Sequence, residues 1–148
     1  MWAWSVFSNR DKPSRVQGTV VVDKSTKQLI KRIKPGEIAF INHRDLDQVA
    51  AKGLIEKGVG AILNCAETLS GTYPTPGPDL LLKAGIPVVD NIADVWLDTL
   101  EEGMTVWVEG DHFGYVDADG HKVVSGSGDR LTRGRLSSLM KRAHGNVE

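Results

Sequence analysis

Residues 36–108 decide the fold, and they contain four short apolar runs: Gly36-Glu37-Ile38-Ala39-Phe40-Ile41, Val59-Gly60-Ala61-Ile62-Leu63, Gly85-Ile86-Pro87-Val88-Val89 and Gly103-Met104-Thr105-Val106-Trp107-Val108. Each run has the length and apolar character of a buried strand. The first two runs are separated by a segment with helical spacing, and strands joined in this way form right-handed crossovers. The order therefore predicts an α/β fold with a parallel βαβ core.

The segment from Asp45 to Lys57 predicts an amphipathic helix. Asp45 occupies the expected N-cap position, and Gln48 stands three residues later, as in a capping box. The apolar positions recur at helical intervals: Leu46, Val49, Ala50, Gly53 and Leu54. A glycine on this inner stripe indicates that the helix approaches a strand closely, and Gly58 is expected to end the helix.

The rest of the chain predicts further helices and an antiparallel meander. Pro78 marks the first turn of a second helix that ends at Gly85, and a third helix ends at Gly103. Thr105–Glu109, Phe113–Asp117 and His121–Val124 alternate in polarity, and Asp119-Gly120 is typical of a hairpin turn. The last helix carries its apolar residues on one side: Leu136, Leu139, Met140 and Ala143.

The start of the chain predicts a leader and a β-hairpin. Gly18 to Val22 and Gln28 to Ile33 read as two strands around a turn-rich segment. The 148 residues are 41% hydrophobic, which suffices for one compact domain. We expect a flexible leader over 1–17, the α/β domain over 18–128, a flexible break at 125–129, and a basic helix or linker over 129–148.

Charge is distributed unevenly along the chain. The formal net charge is −1, but residues 1–34 carry +6, residues 35–129 carry −11 and residues 130–148 carry +4. The basic ends could attract an anionic partner, or they could fold back on the acidic body or remain solvated. No aromatic residues are interleaved with the basic ones, which argues against nucleic-acid binding.

Polar residues cluster where the predicted parallel strands end. Ligands of open parallel sheets bind beyond these carboxyl ends. The candidate ligand-binding residues are Asn42, His43, Arg44, Asp45, Asn64, Ser70, Gly71, Thr72, Tyr73, Asp90 and Asn91. One interpretation is an anion site formed by His43, Arg44 and the N–H groups of residues 70–72. The other is that the same residues cap helices and fix loop shapes.

Motifs for catalysis, metals and cofactors are absent from the sequence. It has no Walker A motif, no dinucleotide-binding glycine fingerprint and no nucleophile elbow. The four histidines do not show metal-ligand spacing, and the acids near the predicted hairpin do not match an EF-hand. We therefore predict no catalytic residue, no metal site and no cofactor.

Two features bear on location. No apolar run approaches the ~20 residues of a membrane span. The single cysteine, Cys65, cannot form an internal disulfide, which fits a reducing cytoplasm. We read it as a small buried residue, with a reactive thiol as the alternative.

The order of these elements resembles the swivelling domain of phosphoenolpyruvate-utilising enzymes, in which a histidine carries phosphate. That resemblance implies a swivelling β/β/α-type fold. When Gly85-Ile86-Pro87 is matched to the Gly-Ile-Pro of that family, the position nine residues upstream is Pro76. Proline accepts no phosphoryl group, so the resemblance implies the fold without the chemistry.

A narrower resemblance covers residues 18–140. The sequence Ser70-Gly71-Thr72-Tyr73-Pro74-Thr75-Pro76-Gly77-Pro78, with 34–39, 42–47 and 84–91, is similar to the amino-terminal domain of SteA-like proteins. These bacterial cytokinetic-ring proteins continue into a thiamin-pyrophosphokinase-like domain and a membrane-anchoring tail, so this chain resembles a fragment of a longer protein.

The narrower resemblance implies a non-catalytic regulatory or interaction domain in septation and daughter-cell separation, with a membrane partner of the division machinery. The alternative is a ligand-sensing domain that binds a phosphorylated small molecule for the kinase-like enzyme. Trp2, Trp4 and Phe7 near the amino terminus additionally predict docking on protein and a homodimer.

Overall fold

The computed structural model describes residues 15–147, which form eight strands and five helices. The strands are β1 (Arg15–Val22), β2 (Ile38–Ile41), β3 (Ala61–Asn64), β4 (Val88–Asp90), β5 (Thr105–Glu109), β6 (His112–Val116), β7 (Lys122–Ser127) and β8 (Asp129–Arg130). The helices are α1 (Thr26–Arg32), α2 (Gln48–Glu56), α3 (Gly77–Lys83), α4 (Val95–Thr99) and α5 (Arg133–Val147). Trp2, Trp4 and Phe7 lie outside the described residues, so the expected role of the leader stays a prediction.

The strands form one mixed sheet in the order β7-β6-β5-β1-β2-β3-β4-β8. Strands β1 to β4 are parallel to one another, whereas β5, β6, β7 and β8 pair antiparallel with their neighbours. The predicted class is therefore confirmed: a mixed α/β fold with a parallel core, an antiparallel meander and a C-terminal helix.

The sheet curls so that its two ends meet. Its terminal strands, β7 and β8, are separated in the chain by Gly128 alone. The Gly128 N–H donates to the Asp111 carbonyl at 2.9 Å. A side chain at Gly128 would collide with the Asp90 carbonyl and lie 2.9 Å from Val89 Cγ1. Glycine is therefore required where the curled sheet closes. The flexible break expected at 125–129 is wrong, because residues 125–127 end β7, Asp129 begins β8 and Gly128 alone lies between them.

The two faces of the sheet bury two separate cores. Ala39 and Ile41 of β2 face α1, α2 and α3, whereas Ile38 and Phe40 face the inside of the curl. This alternation explains why the strand reads as continuously apolar in sequence. Helix α4 covers the inner core, where the Trp96 ring packs edge-on against Phe113.

The predicted hairpin over residues 18–33 is wrong, because its second half is helix α1. The Ser25 hydroxyl accepts from the Gln28 N–H at 3.3 Å and caps this helix. Leu29 and Ile33 are buried four residues apart, which is a helical and not a strand interval. Strand β1 pairs instead with β2 and β5.

Helix α2 begins two residues later than expected. Its N-cap is Asp47, whose Oδ1 accepts from the Ala50 N–H at 2.7 Å, so the prediction that Asp45 caps the helix is wrong. Val49 is 82% exposed and does not belong to the buried stripe. Gly53 admits Ile30 of α1 rather than a strand, since a Cβ there would lie 2.8 Å from Ile30 Cδ1.

We expect Asp47→Ala to lower the free energy of unfolding by about 0.5–2 kcal/mol, the usual effect of losing a side-chain N-cap. Asp47→Asn should be milder, because asparagine caps nearly as well. The matched control is Asp94→Ala, since Asp94 stands at the N-cap of α4 without a side-chain cap bond. Equal urea midpoints for Asp47→Ala and Asp94→Ala would contradict the assignment.

The C-terminal part of the chain belongs to the folded body. Strand β8 pairs with β4, and Leu131, Leu136 and Ala143 are buried. Within residues 15–147, no helix is both long and apolar enough to cross a membrane.

Candidate functional site

Asn64 lies at the centre of the strand-end cluster, at the carboxyl end of β3. Its side chain is fully buried. Oδ1 accepts from the His43 and Ala66 N–H groups, both at 3.0 Å, and Nδ2 donates to the His43 carbonyl at 2.9 Å and to Thr68 Oγ1 at 3.0 Å. Asn64 therefore connects the loop after β2 to the loop after β3. Its side-chain oxygen and nitrogen both form hydrogen bonds in this connection.

Asp45 joins the same two loops beside Asn64. Its side chain is only 4% exposed, and its backbone is left-handed at φ 51°. Oδ1 accepts from the Ser70 N–H at 2.8 Å, and Oδ2 lies 2.9 Å from the Ser70 hydroxyl. The Thr72 hydroxyl is 3.0 Å from Ser70 Oγ. Asp45 thus organises the 70–72 loop, which is a different local role from the expected helix cap.

Asp90 is fully buried at the carboxyl end of β4. Oδ2 accepts from the Thr68 N–H at 2.8 Å and from Arg135 Nη2 at 3.0 Å. Oδ1 lies 2.8 Å from the same nitrogen in an ion-pair contact that lacks hydrogen-bond geometry. Burial raises the pKa of Asp90, although the Thr68 N–H and the Arg135 charge oppose this rise.

Helix α5 brings arginines to this edge of the sheet. Arg135 contacts Asp90, as described above. Arg142 donates to the Ser70 carbonyl at 2.6 Å, and Arg133 forms an ion pair with Asp79 at 2.6 Å. Gly71 leaves room for the Arg142 side chain, because a Cβ on residue 71 would lie 2.6 Å from Arg142 Nε. Sequence reasoning missed these arginines, because Arg135 and Arg142 lie 45 and 72 positions from their partners Asp90 and Ser70, and contacts at that separation give no local signal.

The remaining candidate residues are scattered around the cluster. The His43 ring faces α1 and α2, with Nδ1 2.8 Å from Thr26 Oγ1 and Nε2 3.8 Å from Asp47 Oδ2, and lines a groove of 690 Å³ between these helices. Asn42 and Tyr73 are exposed. Asn91, at φ 57°, donates to Asp129 Oδ2 at 2.7 Å.

Cys65 follows Asn64 and is partly buried. Burial, and secondarily the charge of Asp94, raise the pKa of its thiol to about 11. Because the thiolate is the reactive form, this environment disfavours reactivity at neutral pH. The observation supports the reading of Cys65 as a packing residue.

The raised pKa of Asp90 predicts a pH-dependent stability. Folding favours its protonated form, so its contribution is present below the unfolded pKa of about 3.9 and is lost as pH rises through the folded pKa. We expect the stability of wild type relative to Asp90→Asn to fall as pH rises through this window. Urea midpoints of both proteins across the pH range measure this difference.

Asp79 supplies a control of opposite sign. Hydrogen bonds from Lys83 and Arg133 lower the pKa of Asp79, so its contribution is present above the unfolded pKa and lost on acidification. The stability of wild type relative to Asp79→Asn should therefore rise with pH. The same sign for both variants would contradict the assignment of a buried, raised-pKa carboxyl at Asp90.

The geometry defines a mixed α/β domain whose strand ends carry a bonded polar cluster. No family model matches the chain, and no curated protein matches it. Among solved structures, the microcin C7 self immunity protein MccF in complex with aspartyl sulfamoyl adenosine is 19% identical, with 66% of this chain and 36% of that chain covered and a TM-score of 0.43.

Two further solved structures are similar at the same low level. RraAS2 of Streptomyces coelicolor, an unusual member of the RNase ES inhibitor RraA protein family, is 12% identical, with 91% and 74% of the chains covered and a TM-score of 0.42. The enzyme I protein nEIt is 10% identical, with 80% and 40% covered and a TM-score of 0.39. The chain spans 36% of the MccF structure and 40% of the nEIt structure. Similarities at these TM-scores carry no inference about function.

Proposed function

We propose that this chain is the amino-terminal domain of a SteA-like protein and acts as a non-catalytic regulatory or interaction domain in bacterial cell division and daughter-cell separation. The Ser70–Pro78 sequence supports the family, as do the Lys34–Ala39 and Ala84–Asn91 segments. The observation that carries the non-catalytic role is the bonding of the strand-end cluster, whose buried polar groups hold loop backbone or helix α5.

This internal bonding leaves little for a reaction to use. A catalytic acid or nucleophile must reach a substrate, but Asn64, Asp45 and Asp90 are buried and hold loop backbone or α5. Pro76, at the position of the carrier residue in the swivelling-domain family, is exposed before α3 and has no group that accepts phosphate. Both observations support a domain that works by binding.

A domain exchange tests the family assignment. In a bacterium that lacks its SteA-like protein and fails to separate daughter cells, a chimera would carry this chain in place of the native amino-terminal domain. We expect the chimera to restore separation, whereas the protein without any amino-terminal domain should not. A chimera that accumulates to the level of the native protein and leaves the cells joined would contradict the proposal.

A second candidate function is the sensing of a phosphorylated small molecule for a thiamin-pyrophosphokinase-like enzyme. The observation that favours it is a pair of arginines near Ser70. Arg142 donates to the Ser70 carbonyl. Arg44 is 64% exposed and lies 3.7 Å from the Asp45 carboxylate, which contacts the Ser70 hydroxyl. Two guanidinium groups near one loop suit an anion.

Thermal shift against nucleotides, thiamin phosphates and sugar phosphates separates the two candidates. The interaction domain should show no saturable stabilisation. Saturable stabilisation that is lost in Arg44→Ala and kept in the control Arg15→Ala would favour the sensing function. Arg15 suits this control because it is exposed at the start of β1.

We also propose that the protein is a cytoplasmic homodimer with a membrane partner of the division machinery. The three aromatics of residues 1–14 support self-association, since each can bury 150–250 Å² on a protein surface, a rough general range. Light scattering should give a dimer for the intact chain and a monomer for one that starts at Arg15, where β1 begins. Two monomers of equal thermal stability would refute the dimer.

A further inference from the structure

Arg130 of β8 is a partly buried cation without an acidic partner. Its Nη1 donates to the Gly110 carbonyl at 2.8 Å. No carboxylate of residues 15–147 lies within ion-pair distance of its guanidinium, in contrast to Arg32, Arg133 and Arg135. Burial lowers the pKa of Arg130, and no neighbouring acid offsets that effect. Charges withdrawn from water are normally paired, so a partly buried guanidinium with no acidic partner suits an anionic ligand.

Arg130 lines a pocket of 330 Å³. Arg130 is the only charged residue among the described residues that line it. The apolar lining consists of Val16, Leu82, Ile86, Pro87 and Leu131, and two glycines complete the wall. This volume lies at the lower end of the range of small-molecule sites, about 300–1,000 Å³.

The pocket is separate from the strand-end cluster. Gly60 immediately precedes β3, and Pro87 immediately precedes β4. The pocket therefore lies at the amino ends of the parallel strands. Asn64 and Asp90 mark the carboxyl ends of the same two strands. The pocket is therefore a different site from the strand-end cluster.

We propose that this pocket binds a small monocarboxylate with an apolar body. One guanidinium provides the planar, bidentate match for one carboxylate, and the five apolar side chains suit a branched or aromatic remainder. A phosphate dianion would bring more charge than one arginine compensates, and the lining offers no second cation. Binding would leave the Arg130 bond to Gly110 in place, because the guanidinium has five N–H donors.

The test is a titration of the intact chain followed by amide NMR, with 3-methylbutanoate as the probe and 3-methylbutanamide as its uncharged match. We expect saturable shifts at Gly60, Gly85 and Leu131 with the acid and none with the amide. Arg130→Met should weaken binding about tenfold or more, because it removes a charge-assisted hydrogen bond. Arg133→Met is the matched control, since Arg133 pairs with Asp79 on α3.

A second variant guards against loss of folding, because Arg130 also bridges β8 to the turn before β6. Leu82→Trp keeps Arg130 but fills the pocket, so it should abolish the ligand-induced amide shifts. Equal shifts with acid and amide, unchanged affinity in folded Arg130→Met or Leu82→Trp, or no shifts at all would overturn the proposal. Preferential binding of inorganic phosphate at these amides would overturn the assignment to a monocarboxylate.

Discussion

Gly128→Ala is expected to lower the free energy of unfolding by about 3 kcal/mol, the upper end of the usual cost of overpacking, because the added atom meets backbone. The added methyl group would meet the Asp90 carbonyl, Val89 Cγ1 at 2.9 Å and Ile92 Cγ1 at 3.0 Å. The carbonyl belongs to the strand that pairs with β8, so it cannot move without disturbing the closure of the sheet. Urea denaturation midpoints measure the effect.

Gly134→Ala is the matched control for this substitution. Gly134 lies in α5, and an added Cβ there meets no atom within 4 Å. Alanine should stabilise the protein by about 0.4–1 kcal/mol, because it restricts the unfolded chain. If Gly128→Ala and Gly134→Ala had similar midpoints, the curled sheet would not close at Gly128 as described.

Asn64→Ala should have the second large effect, a loss of about 2–4 kcal/mol, because each buried group left without a partner costs about 1–3 kcal/mol. The substitution removes two hydrogen bonds to His43 in the loop after β2 and two to Ala66 and Thr68 in the loop after β3. Asn42→Ala is the control, since Asn42 is exposed and its side chain makes no hydrogen bond within residues 15–147. It should change stability by less than about 0.5 kcal/mol.

Comparison of the stabilities of Asn64→Ala and Asn42→Ala distinguishes a structural role of the strand-end asparagines from a ligand-binding role. Both residues lie at the carboxyl ends of parallel strands and were equal candidates in the sequence. If Asn64→Ala retained wild-type stability, the cluster would not be the scaffold described above, and its polar groups would be available to a ligand. A large effect of Asn42→Ala would equally contradict the geometry.

The parallel core could be predicted from sequence because its signals are local. β2 and β3 are short apolar runs between turn residues, and Pro78 lies in the first turn of α3 as expected. α1 was mistaken for a strand because Leu29, Ile30 and Ile33 are β-compatible residues in a short segment, where strand and helix periods are hard to distinguish. The position of the α2 cap was missed because Asp45 and Asp47 are both suitable capping residues.

The candidate site was only partly predictable. The strand ends do bring Asn64 to His43 and Asp45 to Ser70, as the rule for parallel sheets implies. The bonds between Asp45 and Ser70 form with a left-handed backbone at Asp45, which no local sequence pattern predicts. The contacts of α5 are long-range, so the pairing of Asp90 with Arg135 required the three-dimensional structure.

Intact-mass measurement after incubation with phosphoenolpyruvate or with ATP and Mg²⁺ tests most directly whether the domain is non-catalytic. We predict an unchanged mass, because the buried polar groups of the strand ends are bonded to loop backbone and to Arg135. Pro76, which the proposed match to the swivelling-domain family places at the carrier position, also has no group that accepts phosphate. The addition of one acid-labile phosphoryl group that disappears in His43→Ala would contradict the account.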